Sequence, residues 1–419
     1  MENGAVDREN LIHDWNRSGS APKTIGTFDL FDESLRDGLQ SPSVSDPSIE
    51  DKIRIVELIA DLGIAGLDLG LPCAGPRAYA DVTALAEHIR DRKLPLQAAA
   101  AGRTVVSDMK PIAEIQQKVG IPIMAYAFIG SSPIRQYAEG WTLERMRKTS
   151  IEAIDFARKE GLEVCYVTED TTRSSPETLR ELFLAAIEHG ASRLCVCDTV
   201  GHATPDGVRR LIAFTKEVIA ESGADVKIDW HGHNDRGLAV INSLVALEAG
   251  ADRVHGTAAG IGERVGNTAI DQVLVNLKLD GIVDRDLTKL VEFVRVVAKA
   301  TGVEIPINYP LVGDDAFRTA TGVHAAAIIK AKRRNDDWLA DRVYSAVPAG
   351  EFGKGQTIDV GPMSGMSNVI YWLEQQNEPA DEELGRFILD RAKSSSRTLS
   401  DDEIRQAIQD FRALAETGS

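Results

Sequence analysis

The hydrophobic pattern of the chain alternates between two kinds of segment. Short runs of β-branched and apolar residues, typical of buried strands, are each followed by a longer stretch with the period of an amphipathic helix. The predicted strands are Thr27–Leu35, Gly66–Leu71, Leu94–Ala101, Ile121–Ile129, Glu163–Thr168, Ser192–Thr199, Val226–His233 and Asp252–Ala259. The helical stretches between them include Ile53–Leu62, Ala78–Arg90, Leu143–Lys159, Pro176–His189 and Leu238–Ala249. Several helical stretches end at a glycine, the residue that most readily stops a helix.

This alternation indicates an α/β protein. Eight strand–helix units over about 265 residues match the size of a (β/α)8 barrel. An open, doubly wound sheet is the alternative, but it needs fewer strands, about five to seven. We therefore predict a TIM barrel over residues 25–285, preceded by an N-terminal extension of residues 1–24.

The alternation stops beyond Asp280. Leu287–Thr301 has the pattern of an amphipathic helix, and the prolines that follow it break the pattern. A glycine-rich stretch then precedes a helical end over Asn368–Gln376 and Asp381–Leu414. We predict a linker and first subdomain over residues 286–362 and a helical second subdomain over residues 363–419.

Composition and charge restrict the possible partners. The 419 residues are 43 % hydrophobic and 26 % charged, as in an ordinary globular protein. A formal net charge of −17 argues against nucleic acid or an anionic membrane surface as a partner. The basic cluster Lys330–Arg334 could be a targeting patch, but in so acidic a chain we favour a solvated face. No apolar stretch approaches the roughly 20 residues needed to span a bilayer, and the N-terminus lacks the apolar core of a signal peptide, so we expect a cytoplasmic protein.

Two motifs could suggest other chemistry. Cys195-Val-Cys197 could be half of a metal clamp, but it lies in an apolar run without a second cysteine pair, so we predict buried strand thiols. The glycines from Gly260 to Gly266 could suggest a dinucleotide loop. Their spacing differs from G-x-G-x-x-G, and they follow the last predicted strand rather than the first, so we reject that interpretation.

Polar residues at the carboxyl ends of the predicted strands point to a metal site, because this end of a barrel carries the active face. His231 and His233 are two apart on a strand, so both imidazoles face the same side. With Asp37 after the first strand, and Glu169 and Asn267 at other strand ends, they predict an open divalent-metal site. The alternative for the histidines is a hydrogen-bonded pair at a strand end.

Three motifs in this order carry a family resemblance: Leu35-Arg36-Asp37-Gly38, His231-Gly-His233-Asn234-Asp235 and Gly262-Glu263-Arg264-Val265-Gly266-Asn267. From about residue 27 to about residue 367 the chain resembles the DRE-TIM metallolyase superfamily. The last motif resembles its Claisen-condensing branch, the 2-isopropylmalate, homocitrate and citramalate synthases. The resemblance implies an acyltransferase that condenses acetyl-CoA with a 2-oxo acid at a divalent metal (Mg²⁺, Mn²⁺ or Zn²⁺).

The resemblance also assigns a role to each matching residue. Asp37, His231 and His233 would be the protein ligands of the cation, with Asn267 beside it or on it. Arg36 would stabilise the developing enolate or the keto oxygen. This assignment suits the chemistry, because a thioester methyl proton can be removed only if a nearby donor offsets the enolate charge.

Further residues match positions around the family's substrates. Glu169 occupies the position of an active-site glutamate, and Thr199 resembles the threonine that holds the substrate carboxylate. Glu263 would pin Arg36 or take part in acetyl activation. His324 resembles a histidine that the smaller subdomain delivers to the partner's barrel, which implies a homodimer.

The substrate side chain is the least specified part of the site. Leu71 stands where homocitrate synthases have a histidine, which favours an apolar 2-oxo acid, since a distal carboxylate would lack a partner. Arg135 could instead hold a distal anion, as in a homocitrate-type synthase, or contact the surface or a CoA phosphate. Arg103 and Gln40 complete the predicted substrate-binding set.

Two other functions stay open at this point. Gly38-Leu39-Gln40 departs from the synthase pattern and is also seen in hydroxymethylglutaryl-CoA lyases, so a C–C lyase is an alternative. A non-catalytic barrel is another, but it would be expected to lack a ligand or Arg36, and neither is missing.

Overall fold

The computed structural model describes residues 8, 11–16 and 25–417. Within them, eight parallel strands form a closed barrel in which each strand pairs with the next and the last pairs with the first. The predicted (β/α)8 fold is therefore confirmed. The strands are β1 (Asp29–Asp32), β2 (Gly66–Asp68), β3 (Gln97–Arg103), β4 (Ile123–Gly130), β5 (Glu163–Glu169), β6 (Arg193–Asp198), β7 (Lys227–Gly232) and β8 (Arg253–Gly256). The predicted extension of residues 1–24 lies mostly outside the described residues.

Helices surround the barrel. The residue just before several of these helices caps the helix N-terminus. Ser48, Ser175 and Thr204 each accept a hydrogen bond from a backbone N–H of the first turn. No helix in the described part of the chain is long and apolar enough to cross a membrane. The barrel helices are α1 (Ile49–Asp61), α2 (Pro76–Arg92), α3 (Val106–Val119), α4 (Pro133–Glu139), α5 (Leu143–Lys159), α6 (Pro176–Glu188), α7 (Pro205–Ser222), α8 (Ala239–Ala249) and α9 (Ile270–Leu279).

Most strands are shorter than the hydrophobic pattern predicts. β1 ends at Asp32 rather than at Leu35, and β8 ends at Gly256 rather than at Ala259. Most of the residues beyond these ends are still buried, because they turn over the mouth of the barrel instead of continuing the ladder. Burial and hydrophobicity therefore extend further than the strand itself.

The barrel interior is apolar on one side and charged on the other. Cys195 and Cys197 are buried on β6, as predicted, and carry no disulfide. They belong to an interior cluster with Phe31, Ala99, Ala101, Met124, Tyr126 and Cys165. The opposite side, formed by β7, β8 and the end of β1, carries the buried Asp229, His231, His255 and Glu33.

The barrel core continues past the predicted boundary at residue 285. Helix α10 (Leu290–Thr301) packs against α1, and its buried Leu290, Phe293 and Val294 belong to the main hydrophobic core. Helix α10 packs on α1 and on the turn Ala258–Gly260 after β8, so the helix belongs to the barrel rather than to a linker.

Two smaller cores follow the barrel, and α13 contributes to both. Ala325, Ile328, Ile329 and Ile358 form the first with Tyr371 of α13, while Trp372 of α13 belongs to the second. The predicted boundary at residue 362 therefore does not separate two independent units. The helical stretch predicted over residues 381–414 consists of two separate helices. The elements here are β9 (Arg318–Thr319), α11 (Gly322–Lys332), α12 (Asp337–Arg342), β10 (Thr357–Ile358), α13 (Met366–Gln375), α14 (Glu382–Lys393) and α15 (Asp401–Thr417).

If α10 is part of the barrel core, Phe293→Ala should lower the free energy of unfolding by about 3–5 kcal/mol, the usual cost of an unfilled aromatic site. Chemical denaturation followed by circular dichroism measures this change. Ile307→Ala, at an exposed position shortly after the same helix, is the matched control and should change the free energy little. Equal effects of the two substitutions would contradict the assignment.

Candidate active site

Three predicted ligands converge at the mouth of the barrel. Nε2 of His231 lies 3.1 Å from Oδ2 of Asp37, and Nε2 of His233 lies 3.5 Å from the same oxygen. The two imidazole centroids are 5.2 Å apart, as expected for side chains on the same side of a strand. All three residues are buried. One oxygen and two nitrogens therefore face a common point.

The loop after β8 brings a fourth group to this point. The loop turns back so that Asn267 forms an antiparallel bridge with His233. Two glycines make the turn possible: Gly260 and Gly266 have φ of +65° and +90°, and a Cβ on Gly266 would lie 1.8 Å from the Gly260 carbonyl oxygen. The backbone conformation of this loop therefore requires these glycines, which accounts for them without a dinucleotide.

The donor set fits a divalent cation. Nδ2 of Asn267 donates to the Ile261 carbonyl (3.0 Å), which leaves Oδ1 buried and without a hydrogen-bond partner in the described structure. A buried acceptor without a partner is costly unless something binds it. One carboxylate, two imidazoles and an amide oxygen are ligands that Zn²⁺, Mn²⁺ or Mg²⁺ would accept.

Arg36 is held beside this cluster by two carboxylates. Its Nε donates to Asp68 Oδ2 (3.0 Å), its Nη2 donates to Glu33 Oε2, and its Nη1 lies 3.6 Å from Asp37 Oδ2. Among the described residues Glu263 makes no ion pair with Arg36, which was one of the two roles expected for it. Its side chain is 55 % exposed, and its ion-pair partner is Arg264 at 3.9 Å.

Neighbouring charges decide the ionisation of these buried carboxyl groups. Burial would raise the pKa of Glu33, but the charges of Arg36 and the adjacent histidines hold it well below its ordinary value. Burial and Arg36 have the same opposing effects on Asp37, whose pKa is also lowered. For Asp68 burial outweighs the attraction of Arg36, and its pKa rises to about 6. Glu33 and Asp37 are therefore ionised at neutral pH, whereas Asp68 takes up a proton at a higher pH than an ordinary aspartate.

Glu169 lies at the end of β5, within the field of the same charges. Burial raises the pKa of its carboxyl group against the attraction of Arg135 and Arg36. Nη2 of Arg135 is 3.6 Å from Glu169 and 3.5 Å from Glu139. On the next loop, the hydroxyl of Thr199 accepts a hydrogen bond from the backbone N–H of Asp170, 2.8 Å away.

The remaining predicted substrate residues differ in their placement. Leu71 packs against the apolar cluster of the barrel interior, together with Phe128 and Val167. Arg103 is mostly exposed, and its guanidinium binds Asp108 of α3 (2.7 Å). Gln40 is exposed on a short turn after Asp37. The structure thus places Leu71 against the apolar interior of the barrel and pairs Arg103 with Asp108.

His324 lies outside the barrel. It is exposed near the start of α11, and its ring packs against Tyr344 with centroids 4.3 Å apart. The buried face of α11 packs into the small core of Ala325, Ile328 and Ile329, which is separate from the barrel core. In the described residues His324 makes no hydrogen bond or ion pair to the Asp37 cluster.

Comparison with known proteins agrees with this geometry. The sequence model of the HMGL-like family matches residues 27–297. The chain belongs to the HMGL-like family. It is 34 % identical over 363 residues to a protein of Methanopyrus kandleri named probable 2-isopropylmalate synthase, covering 86 % of this chain and 68 % of that protein. It is 32 % identical over 367 residues to the homocitrate synthase AksA of the same organism, covering 87 % of each.

A solved structure supports the fold of this HMGL-like chain. The HMG-CoA lyase of Bacillus subtilis aligns with a TM-score of 0.56 at 22 % identity, over 68 % of this chain and 96 % of the lyase. At this identity the likeness concerns the barrel alone.

Sequence reasoning missed Glu33, Asp68 and His255 of this HMGL-like site. Asp68 ends β2, so the strand-end rule that found Asp37 could also have found it. Glu33 directly follows β1 and His255 lies one residue before the end of β8, but no sequence signal pairs them. They meet because β1 pairs with β8, which aligns Phe31 with His255.

If Asp37, His231 and His233 form a metal site, the metal-stripped protein should bind one divalent cation. His233→Ala should lose this binding, because it removes one of the three ligands. Isothermal titration with Mn²⁺ measures it. His189→Ala removes a histidine on the outside of the barrel that pairs with Asp155, and it should bind as the wild type does. Undiminished binding by His233→Ala would contradict the site.

Proposed function

We propose that this protein is a divalent-metal-dependent acyltransferase that condenses acetyl-CoA with a 2-oxo acid to give a 2-substituted malate. We assign 2-isopropylmalate, or an analogue with a bulkier apolar side chain such as benzyl, as the product. The observation that carries the proposal is the convergence of Asp37, His231 and His233 beside Arg36. The HMGL-like family and the relatives named as synthases support the same reaction class.

The reaction forms a carbon–carbon bond and then cleaves a thioester. The acetyl methyl carbon loses a proton and bonds to the keto carbon, whose oxygen gains a proton. Water then cleaves the thioester and releases coenzyme A. A divalent cation held by Asp37, His231 and His233, with Asn267, would supply Lewis-acid polarisation of the 2-oxo group.

Arg36 supplies the fixed positive charge that this reaction needs. The methyl proton of a thioester is very weakly acidic, so the enolate charge must be offset as it develops. Glu33 and Asp68 hold the guanidinium from two sides, so it does not have to reorient during the reaction. Its position next to Asp37 suits an oxygen of the bound 2-oxo acid or of the enolate.

Thr199, Glu169 and Glu263 complete the proposed site. Because the Thr199 hydroxyl already accepts a backbone hydrogen bond, its own hydrogen is free to bind the substrate carboxylate. The raised pKa of Glu169 suits proton transfer. Glu263, exposed at the rim, keeps the other role expected for it, activation of the acetyl group.

The pocket wall favours an apolar substrate. Leu71, Phe128 and Val167 continue the apolar interior toward the mouth of the barrel. The guanidinium of Arg135 already lies between Glu139 and Glu169, so its charge is largely balanced before a substrate arrives. A distal carboxylate in this pocket would lack a partner.

The competing C–C lyase predicts a different product. A lyase would cleave a 3-hydroxyacyl-CoA and would release no thiol from acetyl-CoA plus a 2-oxo acid. A thiol-release assay with added divalent metal, run across a panel of 2-oxo acids, separates the two reactions.

Substrate preference tests the pocket. We expect 2-oxoisovalerate to exceed 2-oxoglutarate in kcat/KM by about 10-fold or more, since an unpaired buried carboxylate is strongly rejected. Leu71→His should narrow the gap, whereas Leu71→Met, which keeps an apolar wall, should preserve it. A wild-type preference for 2-oxoglutarate would show that Arg135 decides the specificity.

We also propose a homodimer in which His324 acts at the partner's barrel. His324 lies beside exposed apolar residues of the subdomain, Val323 (75 % exposed) and Met363 (71 % exposed). Apolar residues are also exposed near the ends of the barrel strands, at Tyr137 of α4 (91 % exposed) and at Val265 in the loop after β8. Two such surfaces on one chain suit reciprocal contact between two copies.

Subunit mixing tests this arrangement. His324→Ala and His233→Ala should each be inactive, and an equal mixture after subunit exchange should recover about one quarter of the wild-type thiol release, because half of the dimers carry one intact site of two. Mixing His324→Ala with the double variant His233→Ala/His324→Ala is the control and should recover nothing. Confirmed exchange without recovery would show that His324 acts in its own chain or only packs.

A further inference from the structure

A chain of buried side chains leads from His231 into the barrel. Nδ1 of His231 lies 3.2 Å from Glu33 Oε2, and Nδ1 of His255 lies 2.7 Å from Glu33 Oε1. Nε2 of His255 lies 3.2 Å from Asp229 Oδ2. These four residues come from β7, β8 and the end of β1, and all four are buried. Glu33, His255 and Asp229 have no role in the reaction described above beyond the contact of Glu33 with Arg36.

We propose that Glu33, His255 and Asp229 form a positioning relay that orients His231 as a metal ligand. The inference rests on the proposed metal site. A histidine that binds a cation through Nε2 must carry its hydrogen on Nδ1, and an acceptor for that hydrogen fixes both the tautomer and the ring orientation. Glu33 Oε2 lies 3.2 Å from Nδ1 and is the group placed to accept this hydrogen, on the opposite side of the ring from Asp37.

His255 is needed because Glu33 has a second cationic partner. Arg36 Nη2 donates to the same Oε2 that faces His231. With Oε1 free, the carboxylate could turn to bind the guanidinium with both oxygens and leave His231 without its acceptor. His255 lies next to Oε1 as an ion-pair partner, although its Nδ1 and that oxygen are not aligned as a hydrogen bond. It therefore opposes this rotation.

Asp229 anchors the far end of the relay. It is fully buried and lies near Nε2 of His255, while its other bonds run to the base of the barrel. Arg193 Nε donates to Asp229 Oδ1 (2.7 Å), and the Tyr126 hydroxyl donates to Oδ2 (2.9 Å). The far end of the relay is thus tied to side chains of β4 and β6 deep in the barrel.

Metal binding without substrate tests the relay independently of the reaction. His255→Phe keeps a ring but removes both nitrogens. It should weaken the Kd of the metal-stripped protein for Mn²⁺ by about 10- to 100-fold, the usual effect of losing a group behind a ligand. It should also change the d–d absorption of bound Co²⁺, which reports ligand geometry. His255→Gln, with one donor toward Glu33, should recover part of the affinity.

Tyr126→Phe is the matched control. It removes one of the two bonds that hold Asp229, but the charged bond from Arg193 remains and Glu33 and His255 are unchanged, so it should keep the wild-type Kd and Co²⁺ spectrum. If His255→Phe does not fold by circular dichroism, Glu33→Gln replaces it, with the same expected loss of affinity. A folded relay variant with the wild-type Kd and spectrum would overturn the relay while leaving the proposed reaction intact. A wild-type protein that binds Mn²⁺ but condenses no 2-oxo acid would overturn the reaction and leave the relay standing.

Discussion

The site depends on the compensation of one buried carboxylate, that of Glu33. It has almost no contact with water, so an unpaired charge there would cost several kcal/mol. Three cationic or hydrogen-bearing groups surround it: Arg36 from its own turn, His231 from β7 and His255 from β8. These partners assemble only when the barrel closes. The charge of Glu33 is therefore compensated fully only in the closed barrel.

Strand alternation explains why the ligands lie in one place. Asp229, His231 and His233 are at successive inward positions of β7 and its extension, so a structural anchor and two ligands stand in one column. The ring of strands then brings Asp37 to the same height. The loop after β8 completes the site. Its glycines allow the chain to turn back, so that Asn267 pairs with His233.

A barrel of this kind does not by itself specify a reaction. The chain shares its barrel with an HMG-CoA lyase and its closer sequence similarity with proteins named as synthases. In this chain the segments beyond the strands carry Glu263 and Arg264 in the loop after β8, the apolar Leu71 after β2, and a separate core beside His324. Such features vary without disturbing the charged column inside the barrel, which is why one scaffold can serve several reactions.

The sequence alone determined the barrel and the residues at its mouth, since a repeated strand–helix period specifies the topology and strand alternation specifies which side chains face inward. It also indicated Asp37, His231, His233 and Asn267 as neighbours, because the carboxyl ends of parallel strands share one edge. Only the tertiary structure decided that Glu33 and His255 meet, that Asp68 rather than Glu263 helps to hold Arg36, and that α10 belongs to the barrel. Periodicity gives the side of a strand but not its register against a strand more than 200 residues away, and register determines which charges touch.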